Sequence, residues 1–137
     1  MSSDEYERGL AVRRSVLGEE YVAQSLGKQS PFDDPIMEFA TEAYWAKVWG
    51  RGKVPRRDLS IAVIAMLIAQ DRREDLALHL RAGIRNGLKI EEIREILLIS
   101  AVYCGAPAAH RAFHIAHECL ANEVRAFNKA NETADRN

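Results

Sequence analysis

His79 opens the stretch of this chain in which residue types and spacing point most directly to chemistry, HLRAGIRNGLKIEEIREILLISAVYCGAP, which ends at Pro107. Its imidazole borders an apolar stripe of Leu76, Leu80, Gly83 and Ile84. A titratable ring against an apolar wall is a candidate for proton transfer near neutral pH, although a satisfied, half-buried histidine fits the same pattern. The tight Tyr103-Cys104-Gly105-Ala106-Pro107 turn at the far end is more than a helical bundle needs for stability. A second group lies upstream, where Glu42, Trp45 and Trp49 stand three, four and seven residues apart and so share one side of a helix. A carboxylate beside two indoles has reason to keep its proton and act as an acid. The plainer alternative is a solvated glutamate on a helix whose aromatics, Tyr44, Trp45 and Trp49, belong to a core.

Three more histidines, His110, His114 and His117, occupy HRAFHIAH at spacings of four and three. Zinc and iron sites use such helical pairs, but they recruit a carboxylate from elsewhere and sit on a recognisable scaffold. No metal is expected here, and His114 is the one of the three expected to face a pocket. Arg51, Lys53, Arg56 and Arg57 form a local basic cluster able to hold a small anion, while Arg56, Arg57 and Asp58 equally suit the capping end of a helix. Cys104 and Cys119 are isolated, without CxxC or metal-type spacing, and are expected as reduced thiols.

The elements that must position these groups are helices. Tyr6, Leu10, Val12 and Val16 predict a first helix over Asp4 to Leu17, closed by Gly18, and Tyr21 to Leu26 adds a short helical turn. Gly27 to Asp33 is loop-like. Asp34 as N-cap, with Pro35 at the first helical position, starts a helix whose apolar face of Ile36, Phe39, Ala40, Ala43, Tyr44 and Val48 runs to Trp49. After the loop Gly50 to Pro55, Arg56 to Ala69 is apolar nearly all round, which predicts burial on every side, in part by another subunit. The helix carrying His79 ends at Asn86, with Gly87 supplying a left-handed residue. The next opens on Glu91, Glu92 and Glu95 and carries Ile93, Ile96, Leu97, Ser100, Ala101 and Cys104 inward; a last helix is expected from Ala106 to about Asn128, with a polar, disordered tail from Lys129. Nothing alternates with a period of two and no glycine-rich phosphate loop follows a strand, so the expected class is all-α.

With 137 residues, 47% hydrophobic and 28% charged, the chain supports one globular domain over residues 1–128 with a tail over 129–137. A net charge of −1, with both signs interspersed, leaves no footprint for nucleic acid or an anionic membrane. The polar, acidic start is unlike a secretory signal, and the longest apolar run, Leu59 to Ala69, is too short to span a bilayer, so a cytoplasmic location is expected.

In order, YERGLAVRRSVLGEEYV, AYWAKVWGRGKVPRRDLSIAVIAMLIA and HLRAGIRNGLKIEEIREILLISAVYCGAPAAHRAFHIAHE resemble the γ-carboxymuconolactone decarboxylases of bacterial aromatic-acid breakdown, from Tyr6 to Glu118. The resemblance implies an AhpD-like bundle of six to seven helices, assembled as trimers or hexamers. It also implies a decarboxylase that takes a lactone carboxylate without metal or organic cofactor, because the substrate's own conjugated carbonyl receives the electrons. In that reading His79 is the proton donor or oxyanion partner. Tyr44, Trp45 and Trp49 form an apolar wall, Glu42 and His114 are secondary polar candidates, and Arg56, Arg57 or Arg81 anchor an acidic arm, with Tyr103 in the turn. The peroxidase branch of the superfamily needs two cysteines ahead of the histidine, and here Arg72 and Asp75 stand in those positions. The decarboxylase pattern is also broken twice. Lys47 stands where such enzymes carry glutamate and Leu59 where they carry arginine, which leaves room for another lactone or ring acid, or for a ligand-binding oligomer.

Overall fold

The computed structural model describes residues 3–134. Ser3 starts it: its hydroxyl accepts the Tyr6 N–H at 3.0 Å and donates to Glu42 at 2.6 Å, capping the first helix and tying it to a residue 39 positions on. Helix α1 (Asp4–Leu17) places Asp4, Glu5 and Glu7 at its positive end and Arg14 at its negative end, and Gly18, at φ 97°, closes it. Helix α2 (Glu19–Lys28) begins at once. It is longer than the turn expected over Tyr21 to Leu26, since Glu19 and Glu20 also suit a first turn.

The helix expected from Asp34 to Trp49 is three pieces. Helix α3 (Asp34–Ala40) gives way to a π-helical turn over Thr41–Ala46 and a 3-10 turn over Trp49–Arg51. Asp34 is the first helical residue, not the cap, and its carboxylate accepts from Gln29 at 2.7 Å. Two observations account for the change of pitch. The Thr41 hydroxyl donates back to the Met37 carbonyl at 2.7 Å, and α1 crosses so close at Gly9 that an added Cβ would lie 2.1 Å from the Thr41 carbonyl oxygen. The wider turn appears in the Lys47 N–H, which reaches the Glu42 carbonyl five residues back at 3.3 Å.

The chain clusters into two compact units, Met1–Arg56 and Arg57–Asn137. In the first, Leu10, Val16, Val22, Thr41 and Ala46 are buried. The second holds α4 (Arg56–Ala69) apart from its first residue, with α5 (Arg73–Arg85), α6 (Ile90–Tyr103), α7 (Ala106–Cys119) and α8 (Ala121–Ala134). Its core is Ile64, Ile68, Leu76, Leu80, Leu88, Ile93, Leu97, Ala112, Ala116 and Leu120. Each leucine or isoleucine buried there contributes about 1.5–3 kcal/mol.

Helix α4 is not enclosed on every side within this unit: Ser60, Ile64 and Ile68 are buried, but Met66 is 57% exposed. Helix α5 ends as its sequence demands. Asn86 caps it, Gly87 takes φ 107°, and the Leu88 N–H returns to the Gly83 carbonyl at 2.9 Å. Asn86 also donates to the buried Ser60 hydroxyl at 3.0 Å, locking α5 to α4. The single last helix is interrupted at Leu120, whose side chain drops into the core while its backbone leaves the helical region at φ −117° and ψ 35°. Helix α8 then continues past Lys129, where a polar tail was expected, because Val124 packs on the core and Asn131 donates to the Phe127 carbonyl at 2.8 Å. Residues 135–137 lie outside the described residues.

Among the described residues the chain is all-α, with eight α-helices rather than six or seven, and no strand. No described helix is long and apolar enough to cross a membrane.

Candidate active site

Within the second unit, α5 holds His79 between the buried positions of Leu76 and Leu80. The ring is half-buried, with Nδ1 out of contact with solvent. Burial pushes its pKa below the ordinary 6.5, and the Asp75 carboxylate, one turn back, only partly opposes this. Near neutral pH the ring is therefore neutral, with one N–H to donate and one nitrogen lone pair to accept. The lock between Asn86 and Ser60 fixes the helix that carries it.

The other candidates of this unit are more exposed. Arg57 pairs with Asp58 at 3.3 Å and also with Glu92 on α6. Arg81 points outward on α5, beside an open hollow lined by Ile84, Glu118, Cys119 and Glu123. Burial raises the Cys119 thiol pKa, with Arg81 opposing; Cys119 and Cys104 are both free. Tyr103 is 83% exposed at the end of α6. His114 does not face a pocket: it is exposed and pairs with Glu118 at 3.1 Å, because its place on α7 is opposite Ala109, Ala112 and Ala116. His117 is the histidine that reaches a hollow, about 120 Å³ in volume, walled by Leu97, Phe113, Val124 and Phe127, with Arg94 over the Phe127 ring at 4.8 Å. Sequence reasoning missed this hollow, and the apolar spacing of Val124 and Phe127 on α8 was its available signal. Among the described residues no group of three or more His, Cys, Asp or Glu side chains is gathered as metal ligands would be.

Within the first unit, Trp45 and Trp49 stack, with ring centroids 5.6 Å apart and planes 23° from parallel, and Tyr44 meets Phe39 edge-on at 5.7 Å. The two indoles thus pack face to face as one apolar pair. Glu42 is held by the Ser3 hydroxyl at the start of α1. Arg56 donates to Ser15, and Lys47 lies 3.9 Å from Glu5. The residue that sequence reasoning passed over is Arg13, buried at 6% exposure and donating from Nη2 to Ser25 at 2.9 Å. Its positions four from Gly9 and three from Val16, on the inner face of α1, were the signal.

Among the described residues helices alone make this scaffold, and α5 holds on it a half-buried imidazole whose pKa burial lowers; the class is an all-helical protein. The chain belongs to the carboxymuconolactone decarboxylase family, whose model matches residues 34–118. It is 37% identical over 127 residues to the 4-carboxymuconolactone decarboxylase of Acinetobacter baylyi, covering 93% of this chain and 95% of that relative. It is also 37% identical over 119 residues to the nitrosuccinic acid decarboxylase of Metarhizium robertsii, covering 87% of this chain and 83% of that one.

Proposed function

We propose that this protein decarboxylates 4-carboxymuconolactone to the corresponding enol-lactone. The observation that carries the reading is the similarity to a 4-carboxymuconolactone decarboxylase over 95% of that relative's length. The chemistry asks little of the protein. The departing carboxylate sits on a carbon conjugated through a double bond to the lactone carbonyl, so the electron pair left by carbon dioxide spreads onto that oxygen as a dienolate. The protein holds the carboxylate in an apolar setting, favours the developing oxyanion, and lets a proton reach the carbon next to the carbonyl.

His79 is the oxyanion partner in this reading. A ring kept neutral by burial donates a hydrogen bond without first losing a proton, and it is a weak source of the imidazolium that direct proton donation needs. The α-carbon proton then comes from water. The stacked Trp45 and Trp49, with Tyr44, supply apolar surface, and Glu42 is a secondary polar group. Arg56, Arg57 or Arg81 holds the acetate arm, His114 and Tyr103 being weaker substrate contacts given their exposure. No metal or organic cofactor is assigned. Residues 1–128 act as one family domain, since the family match runs across the boundary between the two units, and the working protein is a cytoplasmic homo-oligomer, a trimer or hexamer.

A second reading is favoured by the other relative. Nitrosuccinic acid, like the lactone, carries its own electron sink, a nitro group, so one kind of site suits both acids. Lys47 and Leu59, which depart from the lactone-enzyme pattern, point the same way. The test is the ultraviolet trace of 4-carboxymuconolactone, generated in place from its muconate precursor, with nitrosuccinate run in parallel and a chelator present. Fast, chelator-resistant loss of the lactone supports the first reading. Turnover of nitrosuccinate alone replaces it with the second.

A further inference from the structure

Arg13 is the buried charged group that decarboxylation leaves unused. It sits on the face of α1 that carries Gly9 and Val16 and is 6% exposed. Nη2 donates to the Ser25 hydroxyl on α2 at 2.9 Å, while Nη1 is cut off from solvent and has no hydrogen-bond partner. No carboxylate pairs with it among the described residues. Burial works against its charge, and the Tyr21 and Tyr6 phenols, close enough to act on it, only partly offset this. A guanidinium cannot shed its proton to escape such a site, so an anion must meet it or the cost stands.

Ser25 accepts from Arg13 and so keeps its own O–H proton to donate, and the two phenols each have one more. We propose that Arg13, Ser25, Tyr6 and Tyr21 form a binding site for a small carboxylate anion such as acetate. The carboxylate accepts from Nη1 in a charge-assisted bond and from the hydroxyls through its remaining lone pairs. Tyr21, 38% exposed, is the side chain that moves to admit it. The proposal is independent of the reaction assigned above, and its test needs no turnover.

The experiment is thermal unfolding of the full-length protein in increasing sodium acetate, with sodium chloride making up equal ionic strength. The midpoint of the native protein rises with acetate, by on the order of 10 °C at about a hundred times the dissociation constant, and chloride does not substitute. R13M is no less stable than the native protein without acetate, because it removes an unmatched buried charge, and its midpoint does not respond. R13K keeps the charge but loses the fork and binds about tenfold more weakly. Should R13M fail to fold, S25A and Y21F carry the test: each removes one donor, leaves Arg13 in place and weakens the acetate response. A native protein that responds equally to chloride, or variants that respond like the native protein, overturns the site. An R13M protein that is destabilised, in a background where native unfolding ignores acetate, makes Arg13 a structural link between α1 and α2.

Discussion

At the scale of the residue, the proposed mechanism turns on the protonation state of His79, and sequence and structure contribute different halves of it. The sequence put an imidazole beside Leu76, Leu80 and Gly83; that the ring is buried enough to lower its pKa, against the pull of Asp75, depends on packing that no spacing rule reports. His114 shows the same limit from the other side. Its spacing to His110 and His117 is correct for one helix face, but that face is the outer one, and only the placement of Ala109, Ala112 and Ala116 in the interior reveals it. Two results follow from a neutral His79. His79→Ala lowers kcat for the lactone by about a hundredfold or more, with helical circular dichroism unchanged, and near-normal turnover removes the residue from the mechanism. In the proposed role the neutral ring, which still carries one N–H, is the working form, so activity of the native protein holds above pH 6.5 and falls only as pH drops through the lower folded value. The same shift enters folding stability with a definite sign. The folded-state pKa is depressed, so the unfolded chain binds the proton more readily; the contribution is full above 6.5 and is lost as pH falls through the lower folded value. Urea midpoints for the native protein and His79→Gln at pH 7.5 and 5.5 measure this, and the native protein loses more stability on acidification than the variant does.

At the scale of the element, helix starts were legible and changes of helix type were not. The Asp34-Pro35 pair and Asn86-Gly87 mark boundaries by side-chain chemistry within a few residues, so a single sequence shows them or places them within one position. The π-helical turn over Thr41–Ala46 arises from a distant neighbour: Gly9 lets α1 approach Thr41, and nothing local to TEAYWA announces that contact. The break at Leu120 is similar, since a leucine is an ordinary helix residue until the core it must fill is known. Gly9 and Gly27 turn this distinction into a measurement. Alanine is favoured over glycine by about 1 kcal/mol inside a helix, so the substitution stabilises wherever there is room. At Gly27, with nothing within 4 Å of an added Cβ, Gly27→Ala stabilises by about 0.5–1 kcal/mol. At Gly9 the new Cβ would lie 2.1 Å from a backbone oxygen that cannot rotate away, and a clash of about 3 kcal/mol or more exceeds the helical gain. Gly9→Ala therefore destabilises by at least about 2 kcal/mol in denaturant unfolding, and a stabilised variant would show that the crossing of α1 over the π-helical turn is looser than it stands here.

At the scale of the whole molecule, composition and periodicity made the all-helical class readable, whereas the surface left uncovered emerged only from the fold. The expectation that α4 is enclosed on all sides counted on another subunit for part of the cover, and Met66, exposed in the single chain, is a side chain left for such cover. Helix α6 makes the case more sharply. Ile93, Leu97 and Ser100 face inward, and the opposite side presents Leu98, Ile99, Val102 and Tyr103, with Val102 76% and Tyr103 83% exposed. From Ile96 to Ala109 the chain has no charged residue, so a second copy can approach this stripe without like-charge repulsion or the stripping of water from an ion. Assembly through α6 is thus the expected use of the surface, and it supplies the homo-oligomer proposed above. The double variant Val102→Glu/Tyr103→Glu places two carboxylates on each copy at the centre of the stripe, where they must either lose water or repel their counterparts. In sedimentation at matched concentration the native protein runs as a multiple of 15.4 kDa, and the double variant shifts to a smaller species with its helical signal retained. If the variant keeps the native mass, the seam lies elsewhere. A native protein that sediments at 15.4 kDa removes the oligomer altogether and leaves Tyr103 as a surface side chain open to substrate.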